Sequence, residues 1–397
     1  MENVPFLGMA MNILFVTQYD PSNPASGGPA FKVRAVSHHM ACNGHAVTIV
    51  TAAAASTHHI PDQPHVSVDH PLIRVIRMRT LARYRSTTFN PAIWPVARRE
   101  VPRAEVIHLF GFYDLMAPIM ARVALGQGVP YVLEPMGMLI PIVRSLGKKR
   151  FYHKLIGSPL IQGASQVIAT APQEQEELIK AGVLANRVSV RRNGIDLEDF
   201  EKLPERGTLR RRFGIESKGK LILYLGLLSR KKNPDLLIRA FSTIAASDAQ
   251  LLIAGPDVDE CTGQLRELIE SLGLQSKVFL SGPLYDEDKL SALVDADIFV
   301  LPSQNENFGN VIAESIAVGT PVVITDKCGI APYVRDKAGL VVPVSQAAIS
   351  EAMSMLLHDA ALHETFRAGC QDVARKLSWD RPVAELQDLY ESLTKNS

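Results

Sequence analysis

Short apolar runs, each closed by glycine or polar residues, recur along this chain and leave few folds open to it. "NILFVT" (Asn12–Thr17) is followed by a Gly/Pro/Ser-rich loop, an amphipathic stretch that stops near Gly44, and a second run, "AVTIVTAA". Strand, glycine loop, helix and strand in that order make a βαβ unit. Further runs begin at Leu72, Glu105, Pro130 and Ser165. They are continuous rather than alternating, as strands covered on both faces of a parallel sheet are. After the polar stretch Asp196–Lys220 the phrase restarts with "LILYLGLLSRKKNPDLLIRAF", and five more runs follow, from "AQLLIAGP" to "GLVVPV". The expectation is an α/β chain of two doubly wound halves, residues 1–200 and 201–375, with a cleft at the C-terminal ends of their strands.

Composition narrows the function classes. A length of 397 residues suits two domains, and a hydrophobic fraction of 47% supplies their cores. Lys+Arg 42 against Asp+Glu 41 argues against a nucleic-acid binder. Cys42, Cys261, Cys328 and Cys370 form no CxxC pair, so neither a zinc knuckle nor a disulfide scaffold is expected, and a reducing compartment fits. The first twenty residues lack a basic n-region, and their apolar stretch is broken at Asn12, unlike a signal peptide. No run reaches membrane-spanning length.

Four segments in order carry a resemblance: "GGPAFKVRAVSHHMACNGHAVTIVT", "RRNGIDLEDF", "LGLLSRKKNPDLLIRAF" and "ENFGNVIAESIAVGTPVV". Together they resemble the retaining, nucleotide-sugar-dependent glycosyltransferases of family 4, which have the GT-B fold of two Rossmann-like domains facing across a cleft. The last segment, with Glu306 and Glu314 eight positions apart, is the most specific. The resemblance implies that the closing stretch, residues 376–397, is a helix crossing back to the first domain.

By the same resemblance, Glu314 holds the nucleotide ribose and Glu306 lies beside the transferred sugar and its leaving phosphate. Asn307, Phe308, Gly309 and Asn310 form the donor loop, whose amides at a helix start have no intrahelical partner and can cradle a diphosphate. A helix cap with a solvated glutamate is the plainer alternative. Gly226 opens the matching basic loop, and Lys232 occupies the family's lysine position. Leu227 stands where the family carries arginine, and Arg230 is the candidate replacement. Gly27 and Gly28 match the glycine loop beside the donor phosphates, or form a simple tight turn. On the acceptor side the candidates are His108, Gly111, Tyr113, Met136 and Gly137. Phe110 replaces the second histidine of the family's His-x-His, and His108 can equally be a packed residue. Glu174 and Glu176 read as helix-dipole partners.

The implied reaction moves a sugar from a nucleoside diphosphate to a hydroxyl with retention, by front-face attack, with no metal or other cofactor. A UDP-sugar is slightly preferred and GDP-mannose is the other donor. The acceptor is a glycan, a lipid-linked intermediate or a small molecule, in the cytoplasm or at its membrane face. Arg74, Arg77, Arg79, Arg83 and Arg85, with Arg144, Lys148, Lys149, Arg150 and Lys154, form clusters that suit an anionic acceptor or bilayer, or a solvated face. A GT-B-like epimerase, a phosphorylase or a non-catalytic sugar-nucleotide binder shares the architecture and stays open.

Overall fold

In the computed structural model, which describes residues 10–23, 27–53, 65–66, 70–84, 87–139, 152–215, 219–244 and 248–395, the apolar runs become two parallel sheets. The chain divides into two compact units, Met1–Asn193 with Trp379–Ser397, and Gly194–Ser378.

The strands of the first unit are β1 (Asn12–Thr17), β2 (Ala46–Ala52), β3 (His65–Val66), β4 (Ile73–Met78), β5 (Ala82–Tyr84), β6 (Thr87–Phe89), β7 (Val106–Phe110), β8 (Tyr131–Glu134), β9 (Gln166–Ala169) and β10 (Val188–Val190). Eight of them pair in the order β10-β9-β8-β7-β1-β2-β4-β3, while β5 and β6 form a separate hairpin. All pairs in the sheet are parallel except β3 with β4. Alternate residues serve opposite faces, as strand geometry requires. Leu14 and Val16 pack in one core with Ile107, Leu109 and Leu133. Ile13 and Phe15 pack in the other with Val106, Phe110 and Val132. That double burial is why the runs are apolar throughout.

The second unit contributes β11 (Leu221–Leu225), β12 (Gln250–Ala254), β13 (Val278–Gly282), β14 (Ile298–Leu301), β15 (Val322–Thr325) and β16 (Gly339–Val342), in the order β13-β12-β11-β14-β15-β16. Every residue of β11, β12, β14 and β15 is buried. Strand order reverses between β1 and β7 in the first sheet and between β11 and β14 in the second. In open parallel sheets such reversals leave a crevice at the strands' carboxyl ends, where ligands bind.

The chain passes into the second unit at Gly194 and leaves it after Ser378. There the two crossing segments pair, Ile195 bridging to Ser378 and its N–H donating to Leu377 O at 2.9 Å. The helix Asp380–Thr394 follows and returns to the first unit, where Trp379, Val383, Leu386 and Tyr390 join the core of Phe15, Val33 and Phe110.

Candidate active site

In the second unit the reversal brings together the loop after β11, Gly226–Asn233, and the loop after β14, Pro302–Gly309. Gln304 N–H donates to Lys231 O at 2.8 Å, Asn233 Nδ2 to Pro302 O at 3.2 Å, and Gln304 Nε2 to Asn233 Oδ1 at 2.9 Å. The second loop is also fastened to the chain after β15: Glu306 N–H donates to Lys327 O, Gly329 N–H to Glu306 O, and Ile330 N–H to Phe308 O. Phe308 is buried beneath it. Gly309, at φ +104°, begins the helix Asn310–Ala317, and a Cβ there would sit 2.5 Å from Ile312 Cδ1 and 3.3 Å from Glu306 Cγ. Glycine is therefore what lets Glu306 lie so close to the helix start.

Two ion pairs stand on this frame. Lys232 Nζ contacts Glu306 Oε2, both side chains retaining some exposure. Burial and the neighbouring Lys231 push the Lys232 ammonium down, while the carboxylate in contact favours its charged form. Glu314, nearly buried one turn into the helix, receives Lys289 Nζ at 3.0 Å. Lys289 is a partner that the sequence reading did not anticipate. Arg230 is exposed, and its backbone N–H donates to Asp259 Oδ2 at 3.1 Å. Leu227, in the position of the absent arginine, is exposed, while its carbonyl accepts from Tyr224 Oη at 2.8 Å. Gly226 hydrogen-bonds through its N–H to Ala254 O, and its carbonyl lies 1.7 Å from where a Cβ on Gly255 would stand. Asn307 and Asn310 are half-buried at the helix start.

In the first unit, Gly27 and Gly28 are exposed and open the helix Gly27–Cys42, with Gly27 at φ +71°. Gly111, Tyr113, Met136 and Gly137 gather at the C-terminal edge of the sheet. A Cβ on Gly111 would meet Met136 Cε and Tyr19 Cε2 at 3.9 Å. Met136 and Gly137 both have positive φ. Glu174, read from sequence as a dipole partner, is buried and accepts from the backbone N–H groups of Gly137 and Thr170, tying two loops together. Asp114, just after Tyr113, accepts from Met116 N and Ala117 N at 2.7 Å each, and burial raises its carboxyl to about 6.

His108 is placed elsewhere than among acceptor residues. Its ring is wholly buried, stacked on Phe110 at 3.9 Å, with Nδ1 2.6 Å from Tyr390 Oη and Nε2 3.3 Å from Glu134 Oε2. The packed reading of this residue matches its surroundings, because the ring faces the returning C-terminal helix. Around it lies a charge cluster that sequence reasoning missed: Glu134 contacts Lys32 and accepts from Arg191 Nη2 at 2.6 Å, all three buried. Burial alone would raise Glu134, but Arg191 and Lys32 outweigh it and hold the carboxyl well below the usual range. Burial pushes His108 down to about 4.

The arginines after Leu72 are partly committed. Arg77 Nε pairs with Asp20 Oδ2 at 3.0 Å, and Arg74 pairs with Glu100. Of the second basic cluster, Arg144, Lys148, Lys149 and Arg150 lie outside the described residues, as does the side chain of Lys154. Among the described residues, no group of three or more His, Cys, Asp or Glu could hold a metal ion, and no helix is long and apolar enough to cross a membrane.

Two doubly wound units, the second with paired loops at its reversal point joined by Lys232 and Glu306, have the architecture of the GT-B fold. The family described as glycosyl transferases group 1 matches residues 205–372, and a glycosyl transferase 4-like domain matches residues 27–194. Together the two matches span most of the chain, which belongs to the glycosyltransferases that they describe. It is 37% identical over 189 residues to a mannosylfructose-phosphate synthase of Agrobacterium fabrum, covering 45% of this chain and 40% of that protein. It is 31% identical over 249 residues to a D-inositol 3-phosphate glycosyltransferase of Salinispora arenicola, covering 58% of this chain and 55% of that protein. The chain thus spans about half the length of these curated relatives. Anabaena HepE, solved in complex with UDP and glucose, superposes with a TM-score of 0.78 at 20% identity, over 96% of this chain and 100% of that one.

Proposed function

We propose that this chain transfers a sugar from a nucleoside diphosphate to an acceptor hydroxyl with retention of anomeric configuration. The observation that carries the reading is the Lys232–Glu306 contact beside the start of the helix that bears Glu314. Lys232 faces the diphosphate, and the amides of the helix start at Gly309–Asn310 receive its oxygens. Glu314 takes the ribose hydroxyls, as a carboxylate can accept two. Gly226, Asn307 and Phe308 shape the donor loop, and Gly27 and Gly28 open the first helix of the first unit. Gly111, Tyr113, Met136 and Gly137 line the acceptor side.

In the front-face step the bond from the anomeric carbon to the phosphate oxygen breaks. The acceptor oxygen bonds to that carbon on the same face, and its proton passes to the departing phosphate. The Lys232 ammonium steadies the charge growing on that phosphate, and the Glu306 carboxylate steadies positive character on the sugar. Arg230 is the candidate second cation. A UDP-sugar is the favoured donor, supported by the fold likeness to HepE, whose structure holds UDP, and GDP-mannose is the alternative. A glycan or lipid-linked acceptor at the cytoplasmic membrane face completes the reading. The test is calorimetry with UDP and GDP, followed by turnover of UDP-sugars and GDP-mannose with an acceptor panel. Binding of neither nucleotide would sink the proposal.

A further inference from the structure

Between β4 and β7 the first unit turns three large apolar side chains outward: Leu81 is 57% exposed, Phe89 49% and Trp94 39%. Leu81 N–H donates to Phe89 O at 3.0 Å, so these two residues stand side by side at the open end of the β5–β6 hairpin. Asn90 Nδ2 closes the base of the hairpin on Arg79 O at 2.9 Å, and Ile93 N–H donates to Asn90 O, starting the helix Ile93–Glu100. Trp94 is in the first turn of that helix.

The same segment is strongly basic. Residues 79–103 hold six arginines and one acid, Glu100. Arg79 and Arg98 are exposed and have no carboxylate partner among the described residues, and Arg98 Cζ stands 5.1 Å from the centre of the Trp94 ring. Arg99 and Arg103 lie beside buried Glu100 and remain 48% and 62% exposed. Aromatic and aliphatic side chains framed by arginines suit the headgroup layer of an anionic bilayer, where rings sit at the interface and guanidinium groups meet phosphates. A second copy of the chain suits this face less, because a two-fold contact would set arginine against arginine.

The hairpin is also held to the acceptor side. It follows the C-terminal end of β4, and Thr87 Oγ1 donates to Tyr113 O at 2.9 Å. We propose that Leu81, Phe89, Trp94, Arg79 and Arg98 form a docking surface for an anionic lipid bilayer, which sets the loop of Gly111 and Tyr113 beside the lipid headgroups. The use of that placement rests on the lipid-linked acceptor above; docking itself needs no turnover.

The experiment is co-sedimentation with phosphatidylcholine vesicles, with and without phosphatidylglycerol, together with intrinsic fluorescence. The chain has 2 tryptophans, and Trp379 is buried, so a change in emission on vesicles reports Trp94. Binding is expected only with phosphatidylglycerol, with a blue shift. Arg79→Ser and Arg98→Ser should each weaken it about fivefold, and Phe89→Ser with Trp94→Ser should abolish co-sedimentation while UDP affinity by calorimetry stays unchanged. No binding to anionic vesicles, or binding that survives the Phe89/Trp94 pair, overturns the proposal. So does a monomer–dimer equilibrium by sedimentation that the same pair abolishes. If vesicles are bound but UDP and GDP are not, docking stands and the transferase reading falls.

Discussion

Glu306 and Lys232 touch across two loops that are 74 residues apart in sequence, so a substitution at either leaves the other's charge without its partner. Glu306→Gln keeps the side chain's size and removes its charge. Transfer should slow about a hundredfold with UDP affinity little changed, because the charge acts mainly as the sugar becomes cationic. Turnover and calorimetry on the same preparation check this, and a fully active mutant returns Glu306 to a helix-cap role. Glu314→Ala should cost about 1.5–3 kcal/mol of UDP affinity for each ribose hydrogen bond lost. The loss should be smaller for a 2′-deoxy nucleotide, and equal losses would remove Glu314 from the ribose. Both glutamates could be proposed from sequence because they share one continuous segment. Lys289 could not, since it reaches Glu314 from a preceding helix. Nor could the contacts of Lys32, Glu134 and Arg191, three side chains from a helix, a strand and a loop that meet only in the fold. The surroundings of His108 were hidden for the same reason: its neighbour Tyr390 lies 282 residues away.

At the scale of the element, the start of the helix Asn310–Ala317 depends on Gly309. In Gly309→Ala the new methyl would press on Ile312 and Glu306 in a left-handed conformation. Unfolding stability in urea should fall by about 1–3 kcal/mol, and UDP binding should weaken with it. Gly319→Ala is the control. Its φ is +83°, but nothing lies within 4 Å of the added carbon, so it should lose stability without losing UDP affinity. If both variants bind UDP equally, the loop does not hold the nucleotide. The strands themselves were legible, since a strand buried on both faces must be apolar along its length. The β5–β6 hairpin was not: "ARYRSTTF" has neither an apolar run nor a turn signature. Strand order was equally hidden, because nothing within β7 says that it lies beside β1.

At the scale of the whole molecule, the buried cluster sets how the first unit answers to acid. Burial lowers His108 from 6.5 to about 4, so within that window the unfolded chain takes up a proton that the folded chain refuses. Stability should therefore fall as pH drops through it, by up to about 1.4 kcal/mol per pH unit. Glu134, held low by Arg191 and Lys32, adds a loss of the same sign below the ordinary carboxylate range. His108→Gln should flatten the slope between pH 6.5 and 4, followed by tryptophan fluorescence during urea unfolding. Identical slopes in both proteins would sink this account. The helix Asp380–Thr394 that supplies Tyr390 has a further consequence, one of timing. It is made after all of residues 194–378, so the first unit must leave Phe15, Val33 and Phe110 uncovered until that helix arrives. A free chain truncated before Trp379 should therefore keep a folded second unit and an open first one, and the first unit is where a chaperone would find its grip.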